Sequence, residues 1–232
     1  MKEELKEQLE TASAEDGLRL LNSLAEGKLV FSTSFGIEDQ VITDIVFGQK
    51  LNNIEVFTLD TGRLFPETYA TWDKTLLNYS KKIKPYYPNQ VAIEAFIEDN
   101  GINAFYGSVD LRKSCCGIRK VEPLQRALNG VSVWVTGLRA EQSTNRSGMQ
   151  KVEWDDTHKL YKYNPLMDWT FDEVQEYIKK NAVPYNPLHD KGFVSIGCAP
   201  CTRAVKEGED FRAGRWWWED ASKKECGLHT HN

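Results

Sequence analysis

The chain alternates short apolar runs with longer stretches of helical spacing. Lys28–Ser32 (KLVFS) and Ile54–Leu59 (IEVFTL) read as buried strands, each entering a polar turn. Between them apolar residues recur at Ile37, Val41, Ile42, Ile45 and Val46, the spacing of a helix face. Pro66 suits the first turn of another helix, which carries Tyr69, Trp72 and Leu76. A third strand is expected around residues 83–87 and a fourth over 132–137 (SVWVTG). Helices near 118–128 and 170–180 complete the pattern, the latter opening on Thr170 and Glu173 at capping-box spacing.

Strands separated by helices imply right-handed crossovers and an α/β fold: a mostly parallel twisted sheet flanked by helices. Ligands of such sheets bind beyond the carboxyl ends of the strands. The turns STSFGIED, DTGR and TGLRAEQ all fall there, which suggests one nucleotide-sized site. Beyond Lys180, Pro184, Pro187 and Pro200 rule out a long helix. From Glu207 the chain is charged, Gly-punctuated and Trp-rich, and reads as a mobile tail that docks on the domain. The expected division is therefore residues 1–206 and 207–232.

Composition narrows the function classes. A chain of 232 residues with 41% hydrophobic residues can build one well-packed domain with a modest appendage. Its net charge of −5 gives no general attraction to nucleic acid or to an anionic membrane, so any anion must be held by local basic clusters. The opening MKEELKEQLETASAED reads as a charged amphipathic helix with Leu5 and Leu9 on one face, without the apolar core of a signal peptide. A cytoplasmic location is expected. Oligomeric state is not legible, and a homo-oligomer stays open.

Five cysteines argue against a closed disulfide framework. Cys115 and Cys116 are expected at the start of a helix in KSCCGIRK, and Cys198 and Cys201 form a CxxC in IGCAPC. Two such pairs can build a four-thiolate site for zinc or an iron–sulfur cluster, although adjacent cysteines are unusual for zinc. Cys226 stands apart, preceded by Lys223 and Lys224 and followed by His229 and His231. Positive neighbours favour the thiolate; an incidental exposed cysteine is the plain alternative. Basic residues gather nearby: Arg112, Lys113, Arg119 and Lys120 around the CC, and Arg203, Arg212 and Arg215 after the CxxC. Arg139 and Arg146 flank the fourth turn. STSFGIED has the form of a phosphate-cradling turn before a helix N-terminus.

Together STSFGIEDQV, LDTGRLFPETY, KSCCGIRKVEPL, TGLRAEQSTNRS, GCAPCTRAVKEGEDFRAGRWWWE and ECGLH resemble the assimilatory sulfonucleotide reductases, in particular the iron–sulfur-containing adenylyl-sulfate reductases. The resemblance spans from about Ser32 to His229. It implies an adenine-nucleotide hydrolase-like fold and a [4Fe–4S] cluster on Cys115, Cys116, Cys198 and Cys201. Cys226 would be the nucleophile, forming an S-sulfocysteine from adenosine 5′-phosphosulfate, with thioredoxin then releasing sulfite and His229 near the reacting thiol. Lys120, Arg146, Arg212 and Arg215 would contact the phosphosulfate, while the turns with Ser34, Gly36, Asp39, Thr61 and Gly62 would hold the adenosine. Relatives of this fold that split ATP carry a Gly-Gly turn; here Phe35-Gly36 precedes an acidic pair. That departure disfavours an ATP-dependent tRNA-thiolation or adenylyl-transfer enzyme with a metal site. A reductase of the 3′-phosphorylated nucleotide, or one accepting both, is the nearest alternative, and a zinc-stabilised binding module leaves Cys226 without a role.

Overall fold

A computed structural model describes residues 1–142 and 149–220. The sheet is six-stranded: β1 (Lys28–Ser32), β2 (Ile54–Leu59), β3 (Lys84–Tyr86), β4 (Val131–Val135), β5 (Val152–Asp155) and β6 (Leu160–Tyr163), in the order β3-β2-β1-β4-β6-β5. Every neighbouring pair is parallel except β5 with β6. The expected α/β architecture is therefore the observed one. The tail expected after residue 220 lies outside the described residues, as do Arg146, Cys226 and His229.

The pleat of β1 explains the two cores. Leu29 and Phe31 point to one face, where they meet Val41, Ile42 and Ile45 of α3 (Ile37–Gly48). Val30 points to the other and joins Phe57, Trp134 and the helix Glu122–Leu128. Each such side chain, once buried, contributes about 1.5–3 kcal/mol. α3 is buried almost all round, because the sheet covers one side and the helix Phe171–Lys180 packs on another. That last helix opens with the anticipated capping box of Thr170 and Glu173.

Two differences from the sequence reading matter. Cys115 and Cys116 do not start a helix; they end one, Val109–Cys116, which runs through a π-helical turn, Gly117–Val121, into Glu122–Leu128. The wide turn keeps the axis continuous while changing the angular spacing of side chains, a device common at functional sites. The second difference is the β5–β6 hairpin, to which no element was assigned. Its pattern is masked by charge: Lys162 lies in the core, held by Asp155 at 2.9 Å and placed over the Trp134 ring.

Arg139, grouped above with candidate anion-binding residues, is fully buried and committed elsewhere. It donates to Glu38 Oε1 at 2.9 and 3.0 Å and to Glu141 at 2.7 Å, which pins the β4 turn to the start of α3. Arg139→Met leaves Glu38 buried without its partner and should lower the unfolding free energy by about 3–5 kcal/mol in urea titration. Arg126→Met, which breaks the exposed pair with Glu122, should change it by less than about 1 kcal/mol.

Candidate active site

β1 pairs with β2 on one side and β4 on the other, so the chain leaves the sheet in opposite directions at its centre. A crevice opens at that switch point. The cleft there has about 1440 Å³ of space including its open mouth. Ser34, Gly36, Asp39, Thr61, Lys120, Arg212 and Arg215 all line it. Gly62 does not; its N–H donates to Asp60 Oδ1 at 2.8 Å and shapes the turn from behind.

The first turn departs from a phosphate cradle. The Ser34 amide and hydroxyl both donate to Asp39 Oδ2, at 2.6 and 2.7 Å. The protein's own carboxylate thus takes the donors that an anion would need, and Glu38 adds a second charge in the same helical turn. Phe35 adopts a left-handed φ of 60°, where an ATP-splitting relative would carry glycine; stacking on Trp72 at 5.4 Å holds it. Gly137, at the end of β4, is required by close approach: a Cβ there would lie 2.3 Å from Asp39 Oδ1. This rim suits neutral, hydrogen-bonding groups of a ligand.

The opposite rim is basic. Lys120, Arg212 and Arg215 face the cleft from the π-helical turn and from the segment after the CxxC. Gly197 lets the Arg215 guanidinium approach, since a Cβ would sit 2.4 Å from one of its nitrogens. The other cations named from sequence have structural work: Arg112 is buried against Glu219 at 2.8 Å, and Arg203 pairs with Glu209 at 2.7 Å.

Beside the basic rim lies a second, smaller cavity lined by Cys115, Cys116, Cys198 and Cys201. The sequence-distant pairs therefore come together. The loop carrying Cys198 is tied to the second turn, because Ala199 N–H donates to the Arg63 carbonyl at 2.8 Å and Thr61 Oγ1 lies 3.3 Å from Cys198 Sγ. Arg63, Arg112, Arg119 and Lys120 share the lining. Burial, then the neighbouring Cys198, pushes the Cys201 thiol up to about 12, and burial raises Cys115 as well. A cavity that crowds four thiols among four cations fits a group that binds thiolates and carries net negative charge. Among the described residues, no three His, Cys, Asp or Glu side chains converge as a single metal ion requires.

Sequence reasoning missed Arg119, whose guanidinium donates to the Thr61 carbonyl at 2.5 Å and so links the CC helix to the nucleotide turn. It also missed His189, on the cleft wall. A lone arginine and a lone histidine carry no spacing signal.

Burial raises Asp39 from 3.8 to about 6, against the lowering effect of its Ser34 hydrogen bonds. The folded chain thus binds this proton more tightly than the unfolded one. The resulting stability is complete below about pH 4 and is lost as pH rises through about 6. Asp39→Asn, which stays neutral, should gain on the wild type by up to about 3 kcal/mol across that window, measured by chemical denaturation at successive pH values. A difference that stays flat over the window contradicts the burial.

The family model described as the phosphoadenosine phosphosulfate reductase domain matches residues 28–204. The chain is 51% identical over 224 residues to an adenosine 5′-phosphosulfate reductase of Rhizobium meliloti (strain 1021), covering 97% of this chain and 84% of that protein. It is 52% identical over 201 residues to the adenosine 5′-phosphosulfate reductase of Allochromatium vinosum, covering 87% and 78% respectively. Among solved structures it is similar to a phosphoadenylyl-sulfate reductase of Candida auris, with a TM-score of 0.74 at 31% identity, covering 88% of this chain and 98% of that one. A Candida glabrata FMN adenylyltransferase shares the fold alone, at a TM-score of 0.54 and 14% identity. With a matched domain over most of its length and close relatives aligned nearly end to end, this chain belongs to the phosphoadenosine phosphosulfate reductase family.

Proposed function

We propose that this chain reduces adenosine 5′-phosphosulfate to sulfite and AMP with thioredoxin as reductant, as a step of sulfate assimilation toward cysteine. The observation that carries the reading is that Lys120 lines both the nucleotide-sized cleft and the four-cysteine cavity. An anionic end bound at the basic rim therefore lies against the cysteines. The names of relatives at about half identity favour the substrate without a 3′-phosphate.

In this reading the turns with Ser34, Gly36, Asp39, Thr61 and Gly62 hold the adenosine. Lys120, Arg212 and Arg215, with Arg146, neutralise the phosphosulfate, whose charge would otherwise repel an incoming thiolate. Cys226 supplies that thiolate, with His229 beside it. Its sulfur bonds to the sulfonyl sulfur, the S–O bond to the phosphate breaks, and AMP leaves with the bonding pair. A thioredoxin thiolate then attacks Cys226, sulfite departs, and the second thioredoxin thiol resolves the mixed disulfide. Residues 1–206 form the nucleotide and cysteine-cavity domain, and 207–232 the segment that delivers Cys226. The abundance of free thiols fits a reducing, cytoplasmic setting.

A [4Fe–4S] cluster on Cys115, Cys116, Cys198 and Cys201 would supply fixed charge and rigidity next to the substrate, since thiol chemistry needs no electrons from iron. The four-thiol lining without single-ion convergence supports a polynuclear group over zinc. The similarity to a phosphoadenylyl-sulfate reductase keeps the 3′-phosphorylated nucleotide as the second reading. Sulfite release with each nucleotide and reduced thioredoxin tests both; no sulfite from either overturns the proposal.

Cys226→Ser should bind AMP and keep its cluster yet release no sulfite, and normal turnover would remove the nucleophile assignment. Cys116→Ser, purified anaerobically, should lose most of the visible iron–sulfur absorbance, whereas full retention refutes its role as a ligand.

A further inference from the structure

His189 opens a short 3-10 turn, His189–Lys191, and its side chain lines the cleft. Both ring nitrogens are shielded from solvent and neither makes a hydrogen bond within the protein. Leaving two polar atoms of one side chain unsatisfied is costly in a folded chain, and such a group calls for an explanation. Local packing does not let the ring swing out. Asn186, fully buried, donates to Thr68 Oγ1 at 3.0 Å and accepts from Leu188 N–H at 3.1 Å, which fixes the residues just before it. On the other side, Val205 N–H donates to the Gly192 carbonyl at 2.9 Å.

The surroundings say what kind of group completes the ring. Burial lowers the proton affinity of His189, and the charges that act on it are the carboxylates of Glu38 and Asp190, which raise it. A neutral imidazole offers one donor and one acceptor. Glu38 gives Oε1 to Arg139, and Oε2 lies toward Gly36 at the cleft. Asp39 adds a second carboxylate on the same rim. Two carboxylates with a neutral imidazole repel a phosphate or sulfate and match a hydroxyl, which both donates and accepts.

We infer that His189, with the Glu38–Asp39 rim, is a substrate-contacting residue that recognises a sugar hydroxyl of the bound nucleotide. The inference rests on the nucleotide reading above and deepens it. The acidic rim reads the neutral sugar, the basic rim takes the anion, and the two together orient the substrate with its sulfur toward the cysteines.

Equilibrium binding of AMP, 2′-deoxy-AMP and 3′-deoxy-AMP to the cluster-loaded protein tests it. Wild type should bind AMP on the order of tenfold tighter than at least one deoxy analogue. His189→Leu should bind all three alike, near the weaker affinity, and His189→Gln, which keeps a donor and an acceptor, should recover part of the preference. A His189→Leu protein with wild-type AMP affinity and wild-type preference overturns the inference. So does a wild type indifferent to both hydroxyls, a result that holds even if the leucine variant does not fold. Wild type that binds no AMP at all overturns the nucleotide reading itself.

Discussion

The site depends on one constraint, the parallel pairing of β1 with β2 on one flank and β4 on the other. A strand paired on both sides cannot shift without breaking two ladders of hydrogen bonds and turning Leu29 and Phe31 out of the core. The turns that follow these three strands are therefore brought to one edge. Asp39, Thr61 and Gly137 reach the same cleft although nearly a hundred residues separate the first from the last. The Arg139–Glu38 pair then locks the β4 turn to the helix that follows β1.

Charge is sorted across this edge. One rim carries Glu38 and Asp39, and Asp39 already occupies the amide and hydroxyl of Ser34. The other carries Lys120, Arg212 and Arg215. An acidic protein can thus hold an anion without a general positive field, because the cations converge locally where water is partly excluded. The same arrangement gives the ligand a direction, with its charged end at the rim that borders the cysteines.

The cysteine cavity is built from two elements that share no sequence neighbourhood. The π-helical turn after Cys116 and the 3-10 turn Ala199–Cys201 meet because the second is strapped to the Thr61–Arg63 turn, while Trp216 closes the cavity from the tail side. Arg119 adds a tie from the first element to Thr61. Changes around the cysteines are therefore mechanically coupled to the turn that lines the nucleotide cleft.

The sequence alone determined the α/β class, β1, β2 and the helix after each, and the cysteine pairs, because these rest on periodicity and on residue types with few uses. It also indicated which turns would converge, since strand order in parallel sheets limits where ligands bind. Tertiary structure decided the rest. The β5–β6 hairpin was hidden because Lys162 and Asp155 look like surface residues until each is seen to neutralise the other in the core. The cysteine pair was assigned to the start of a helix because the signal for Val109–Cys116 is a weakly amphipathic, polar stretch. Above all, the many arginines were equivalent as letters. Burial made Arg112 and Arg139 structural through Glu219 and Glu38, and left Arg212 and Arg215 on the cleft, a distinction that exists only once the chain has folded and each charge has met its neighbours.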